Sequence, residues 1–129
     1  MRLKASFLVI VISMACLAMQ PASEPRKLSE AEHAEALAEK YGAALEVVQW
    51  DKTRIDFVTD DYVIEIDFAY KWAEAIGQAL YYAISDPSDR LPAIVLLVDK
   101  GQDRFAHRCQ AVCAAHGITL FVERVQFHD

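Results

Sequence analysis

The feature that most constrains the fold is a pair of short acidic strands that runs directly into a helix. We predict strands at 53–59 and 62–68, separated by a turn at 60–61, and a helix at 70–85. The helix is indicated by apolar residues at helical spacing, which are Trp72, Ile76, Ala79, Leu80 and Ala83. Carboxylates that converge from adjacent strands repel each other unless a divalent cation or a basic group shares the site. This segment therefore indicates a binding site as well as a structural unit.

The flanking segments extend this unit into a sheet that is covered by helices. A capping box begins a first helix at 29–40, and a strand follows at 45–50. Short turns join the first three strands, so we expect them to form an antiparallel meander.

The second half of the chain predicts parallel pairing. A loop at 86–92 precedes the apolar run 93–98, which is typical of a strand covered on both faces. A helix at 104–115 and a closing strand at 118–125 follow. Helices between strands imply crossover connections. The order α-β-β-β-α-β-α-β therefore predicts an α/β fold with a mixed central sheet flanked by helices.

The first 22 residues have the pattern of a secretory signal peptide. A basic tip precedes an apolar run at 5–19, and small residues follow it. The uncharged run is too short to favour a membrane span. We expect cleavage after Ala18 or Ala22, which leaves a single exported domain at 23–129, periplasmic or secreted, without a transmembrane span.

The charge of the chain disfavours a free-standing nucleic-acid-binding protein. The chain has 13 basic and 19 acidic residues, a net charge of −6. Loss of Arg2 and Lys4 with the signal peptide leaves 11 basic residues against 19 acidic ones, a net charge of −8. A polyanion is repelled by such a protein. A domain of this size would need added basic segments or a partner chain, such as a second copy in a homodimer, to hold a duplex.

Two cysteines follow the signal peptide, Cys109 and Cys113, and both fall in a predicted helix. Their spacing puts the thiols on one helix face, where the geometry suits a disulfide poorly. We interpret them as small core residues rather than as a disulfide or a metal pair.

Strand alternation predicts that the acids gather on one side of the sheet. Glu65 and Asp67 share one face of their strand. On the preceding strand, Asp56 takes the face opposite to Ile55 and Phe57. If the apolar faces of the two strands align, all three carboxylates lie side by side.

A polar stripe follows the acids on the helix at 70–85. Its members recur at helical spacing and are Lys71, Glu74, Gln78 and Tyr82. Lys71 comes directly after the acid-bearing strand, so its ammonium group is expected near the carboxylates.

The element order and these residues resemble the PD-(D/E)xK nuclease superfamily, which has a restriction-endonuclease-like αβββαβ core and includes RecB-type nucleases and archaeal-type Holliday-junction resolvases. The resemblance covers about residues 28–125, with an additional C-terminal helix and strand. It implies that Asp56 is the metal-binding Asp and that Glu65 is the acid of the (D/E)xK element. Gln78 and Tyr82 match the Gln-x-x-x-Tyr element of the RecB-like members, which supports the substrate or the site, and Glu74 lies on the same stripe.

The chain departs from the family pattern at one position. Two residues after Glu65 the pattern has Lys, and this chain has Asp67. Either Lys71 supplies the missing cation from the next turn, or the site is degenerate.

The resemblance implies an exported metal-dependent phosphodiesterase or nuclease. Asp56 and Glu65, together with Asp67, would hold Mg²⁺ or Mn²⁺ through oxygen ligands. The metal would lower the pKa of a bound water, and Lys71 would orient that water or neutralise developing charge. Gln78 and Tyr82 would position the cluster or the nucleic-acid backbone.

Other interpretations explain the same residues. Asp56 could pair with Arg54 or Lys71, and the remaining acids could face solvent on an open side of the sheet. The chain could then be a catalytically degenerate nuclease-fold module that binds a protein partner in the cell envelope, or a divalent-cation-binding protein without nuclease ancestry.

Overall fold

Five strands form one sheet whose spatial order, β1-β2-β3-β4-β5, follows the sequence. The computed structural model describes residues 26–126, and the expected signal peptide lies outside them. The strands are β1 (Ala44–Val48), β2 (Arg54–Val58), β3 (Tyr62–Phe68), β4 (Leu91–Val98) and β5 (Thr119–Arg124). The helices are α1 (Glu30–Tyr41), α2 (Trp72–Ser85) and α3 (Asp103–His116), and a short 3-10 turn (Ala69–Lys71) joins β3 to α2.

The pairing directions confirm the predicted mixed sheet. β1, β2 and β3 pair antiparallel, whereas β3, β4 and β5 pair parallel. In the parallel half, Phe68 is opposite Leu97 and Val98 is opposite Arg124. The C-terminal ends of β3, β4 and β5 therefore meet at one side of the sheet, which we call the carboxyl edge.

The first helix begins at the predicted capping box. The Ser29 hydroxyl accepts the N–H of Glu32 at 3.3 Å, and the Glu32 carboxylate accepts the N–H of Ser29 at 2.8 Å. Gly42 ends the helix in the left-handed conformation, with φ 59°, and donates its N–H to the last turn. These local bonds satisfy backbone groups that the helix itself leaves free.

We expect Ser29→Ala to lower the free energy of unfolding by about 1 kcal/mol, because it removes the side-chain acceptor of the capping box. Denaturant titration of the two proteins measures this difference. Ser29→Asp keeps an acceptor at the cap and is expected to retain most of the stability. Equal destabilisation by both substitutions would contradict the capping interpretation.

Helices cover both faces of the sheet, and the core therefore has two layers. On one face α1 packs over Phe57, Ile64, Ile66, Val95 and Leu97. On the other face α2 and α3 pack over Ile94, Leu96 and Val98. β4 is buried on both sides from Ala93 onward, as its apolar run predicts.

The two cysteines belong to the core beneath α3, as expected from their spacing. Cys109 and Cys113 are free thiols, both fully buried, with their sulfur atoms 3.7 Å apart. Both thiols pack in the layer between α2, α3 and β4.

Several predicted boundaries were wrong, including that of the strand predicted at 45–50, which ends at Val48. β4 begins at Leu91 rather than after Pro92, because the N–H of Leu91 donates to the carbonyl of Asp61 and attaches this end to β3. The helix predicted from residue 70 begins instead as the 3-10 turn, and its α-helical part begins at Trp72. No helix within residues 26–126 is long and apolar enough to cross a membrane.

Candidate active site

Asp56 lies where β2 separates from β3. The two strands pair only at Phe57 with Ile64 and at Val58 with Val63. Before Phe57 the two strands form no backbone pair. The Asp56 carboxylate instead accepts the backbone N–H of Ile66 at 3.0 Å. The side chain is thereby fixed at the junction of β2 and β3, beside Glu65.

The predicted alternation of β2 was wrong. Phe57 packs in the layer under α1, but Ile55 packs with Val63 and Tyr82 on the side of α2. The two residues therefore do not share a face. The prediction assumed a regular ladder, but β2 pairs with β3 only at Phe57 and Val58, so Ile55 lies outside that ladder.

Glu65 is the most strongly perturbed acid of the site. Its residue is 3% exposed, and its Oε2 atom has no hydrogen-bond partner among residues 26–126. Burial raises the pKa of Glu65 to about 10, and the neighbouring Asp56 carboxyl adds to the shift. Burial likewise raises the pKa of Asp56, although the Ile66 N–H opposes this. Glu65 is therefore neutral near pH 7 when no cation is bound.

Asp67 connects the site to Lys71 and to the first helix. The Lys71 ammonium lies 3.4 Å from Asp67 Oδ1 and 3.5 Å from Glu30 Oε2. Burial, followed by the Glu30 carboxyl, raises the pKa of Asp67 to about 7, while the Phe68 N–H and Lys71 oppose the shift. Burial lowers the pKa of Lys71, but the two carboxylates outweigh it and the net shift is upward.

The residues predicted on α2 are divided between the site and the surface. Tyr82 is buried, and its hydroxyl donates to Gln78 Oε1 at 3.3 Å. Burial and the adjacent Glu65 carboxyl raise the pKa of Tyr82. Glu74 is exposed, and no hydrogen bond or ion pair within the described residues joins it to the acids. Gln78 and Tyr82 therefore lie beside the acids, whereas Glu74 makes no polar contact with them.

Glu30 is a member of the cluster that the sequence did not predict. It lies in the first turn of α1, 41 residues from Lys71 along the chain. Its position beside Lys71 and Asp67 follows from the way α1 crosses the sheet with its N-terminus at the carboxyl edge. The capping box marks where this helix begins but contains no signal of what the helix packs against. We define the acid cluster as Glu30, Asp56, Glu65 and Asp67.

A cleft of about 470 Å³ opens on the α1 side of the sheet; Glu30 and Asp56 of the acid cluster line it, whereas Glu65 and Asp67 do not. It lies between α1 and the β1–β2 hairpin, and its floor includes Ile66 and Asp56. Its acidic lining residues are Glu30, Glu35, Glu46 and Asp56. A phosphate entering the cleft would be repelled until a cation lowers the local negative charge.

The donor chemistry fits a hard divalent cation. The available ligands are carboxylate oxygens, which Mg²⁺ prefers, and the buried Oε2 of Glu65 lacks a partner. Within residues 26–126, no group of three or more acidic, histidine or cysteine side chains is already close enough to hold a metal ion. The side chains would therefore have to move together on binding, and the bound cation would offset the increased repulsion between the acids.

Comparisons with known proteins leave the family open. No family model matches the chain, and no solved structure matches it. A 61-residue segment is 44% identical to part of a protein of Acanthamoeba polyphaga mimivirus, described as a "Putative KilA-N domain-containing protein". The match covers 47% of this chain and 24% of that protein, so the chain spans about a quarter of the length of this relative.

Proposed function

We propose that this protein is a metal-dependent phosphodiesterase of the nuclease type, built on a restriction-endonuclease-like core. The observation that carries the proposal is the acid cluster, in which carboxylates from β2 and β3 lie beside a lysine at the start of the next helix. Lys71 pairs with Glu30 and Asp67, while the other two members of the cluster, Asp56 and Glu65, form no ion pair within residues 26–126, so carboxyl groups outnumber cations here. Such an imbalance in a partly buried site is typical of functional sites.

Each residue has a role that its position supports. Asp56 and Glu65, with Asp67, would hold Mg²⁺ or Mn²⁺ at the junction of β2 and β3, where Asp56 lines the cleft. When bound, the ion would supply an activated water and would stabilise charge on the phosphate. Lys71 would orient that water or neutralise charge on the phosphate oxygens. Tyr82, through its bond to Gln78, would hold the Glu65 side chain in place.

Lys71 also explains how the departure from the family pattern is accommodated. Asp67 occupies the position where the family has Lys, yet the Lys71 ammonium reaches back to within 3.4 Å of its carboxylate. In this proposal Lys71 would supply the cation to the site from one helical turn later. Glu30 would hold Lys71 from the opposite side.

Hydrolysis of a labelled oligonucleotide tests the proposed function. We expect cleavage in Mg²⁺ or Mn²⁺ and none in EDTA, because the acid cluster alone repels the phosphate. A parallel thermal melt should show stabilisation by the same ions, since they bind only the folded site. Absence of cleavage on single- and double-stranded DNA and RNA, in protein that is folded and loaded with either ion, would contradict the enzymatic proposal.

A second candidate function is a non-catalytic module with the same fold that binds a partner in the cell envelope. The two ion pairs of Lys71 favour it, because they already neutralise part of the cluster. This candidate predicts folded protein without hydrolysis that co-purifies with a partner. Its envelope location follows from the proposal that the first 22 residues direct export, which N-terminal sequencing of the mature protein tests.

A further inference from the structure

Several basic residues lie at the carboxyl edge, beside the acids Glu30, Asp67, Asp99 and Asp103. Six basic residues lie on the segments that meet there or on the first turns of α3: Lys27, Lys71, Lys100, Arg104, Arg108 and Arg124. Lys27 lies 5.2 Å above the ring of Phe68, which ends β3. Arg124 ends β5 and pairs with Asp103, the first residue of α3, at 2.7 Å. The net charge of the chain therefore does not describe this side of the molecule.

Two arginines of α3 are held side by side at the surface. The guanidinium carbons of Arg104 and Arg108 lie 4.6 Å and 5.9 Å from the centre of the Phe105 ring. Both residues are exposed, and no carboxylate of residues 26–126 is within ion-pair distance of either. The aromatic ring orders the two cations without neutralising them. Lys100, also exposed, precedes them in the β4–α3 loop.

The helix that carries these arginines packs against the turn that carries Lys71. Phe105 packs in the same core layer as Ala69 and Trp72, the residues on either side of the turn that carries Lys71. α3 also contacts that 3-10 turn directly. The turn that carries Lys71 is therefore in contact with α3, the helix of the two arginines, while Lys71 itself pairs with Glu30 of α1.

The backbone adds partial positive charge at this edge. All three helices begin at the carboxyl edge. Glu30 of α1 contacts Lys71, and α2 begins at the next residue, Trp72. Asp103, the first residue of α3, contacts Arg124 at the end of β5. Helix N-termini carry partial positive charge, which favours a nearby anion. The acid closest to the arginines, Asp103, is neutralised by Arg124.

We propose that Lys100, Arg104 and Arg108 form a basic surface that binds the phosphate backbone of a nucleic acid and directs it across the 3-10 turn to the acid cluster. The inference rests on the proposed function, because it identifies the surface that holds the substrate of that site. It also explains how an acidic chain binds a polyanion. Contacts to phosphate depend on charge more than on sequence, so the binding is expected to be non-specific and sensitive to salt.

Equilibrium binding of a labelled oligonucleotide in EDTA tests this surface without hydrolysis. The double substitution Arg104→Gln and Arg108→Gln should weaken binding at least about tenfold and reduce the slope of log affinity against log salt by about 2. Arg104→Lys with Arg108→Lys keeps the charge and should retain most of the slope. The matched control is Lys52→Asn with Arg54→Gln, which removes the same charge from the β1–β2 hairpin beside the C-terminal end of α2. Asn suits the positive φ of Lys52.

The outcomes separate this inference from the proposed function. Wild-type binding that depends on the arginines supports the surface, even if no cleavage is found in Mg²⁺ and the enzymatic proposal fails. Equal loss of binding in the hairpin control, or no oligonucleotide binding by the wild type, overturns the surface. Cleavage with an unchanged KM in the arginine variant would also overturn it while leaving the enzyme intact.

Discussion

Replacing Asp56 with Asn is expected to lower metal-dependent hydrolysis about a thousandfold, because a neutral amide is a poor ligand for Mg²⁺ where a charged carboxylate would be a strong one. The substitution should leave the fold intact. The amide oxygen of Asn has the position and acceptor capacity of Asp56 Oδ2, and it can still accept the Ile66 N–H. Initial rates of oligonucleotide cleavage across a range of Mg²⁺ concentrations measure the loss.

Asp60→Asn is the matched control for this substitution. Asp60 is an exposed acid in the β2–β3 turn, at the opposite end of β3 from the cluster. Its substitution removes the same charge and should change the rate less than twofold. If the Asp56→Asn protein cleaves at the wild-type rate with an unchanged melting temperature, Asp56 is only a structural residue that accepts the Ile66 N–H between β2 and β3.

The sequence was sufficient to predict the sheet because its strands differ in character. The alternating strand 62–68 and the uniformly apolar strand 93–98 require different surroundings, and the short turns between early strands allow only antiparallel pairing. Helices between the later strands then require parallel crossovers. These constraints are local or nearly so, and the observed pairing agrees with them.

The site was only partly predictable, because some of its contacts depend on irregular backbone and on distant packing. Asp56 accepts the Ile66 N–H because β2 pairs with β3 only from Phe57 onward, and regular alternation contains no signal of this missing pairing. Glu30 belongs to the site because α1 packs over the sheet with its first turn beside Lys71. Lys71 was predictable, because it follows the acidic strand directly and few conformations separate the two.

Net charge was the least informative property of the sequence. A count of −6 combines the acid cluster with basic residues that the fold places at the carboxyl edge. Arg104 and Arg108 are one helical turn apart, so the sequence places them on one face of α3. The sequence does not indicate that this helix packs against the 3-10 turn that carries Lys71, because that contact arises from the tertiary fold.

Glu65→Gln is expected to stabilise the metal-free protein at alkaline pH. Burial raises the pKa of Glu65 from 4.5 to about 10, so the folded state keeps a proton there that the unfolded chain releases above about pH 4.5. Between these values the unfolded state binds fewer protons, and the free energy of unfolding therefore falls as pH rises. The stability associated with the protonated carboxyl is fully present below pH 4.5 and is lost as pH approaches 10.

Gln removes this dependence, because it is uncharged at every pH and fills a similar volume. Near pH 8 to 9 we expect the variant to exceed the wild type by about 1–3 kcal/mol, which corresponds to several degrees in melting temperature. Near pH 4 the difference should be small. Melting curves in EDTA across this range measure the divergence. The exposed Glu39→Gln variant is the control, and its profile should remain parallel to that of the wild type.

The same variant should lose its response to the metal. Mg²⁺ or Mn²⁺ that binds the folded wild type raises its stability in proportion to the logarithm of concentration over Kd. Without the Glu65 carboxylate this rise should largely disappear. Greater alkaline stability together with a lost metal response is the combination expected of a residue retained for binding at the expense of stability. A variant that is less stable than the wild type at pH 8 in EDTA would instead make Glu65 a structural residue, protonated and held by Asp56 and Tyr82, and would remove the main reason to place a cation in the cleft.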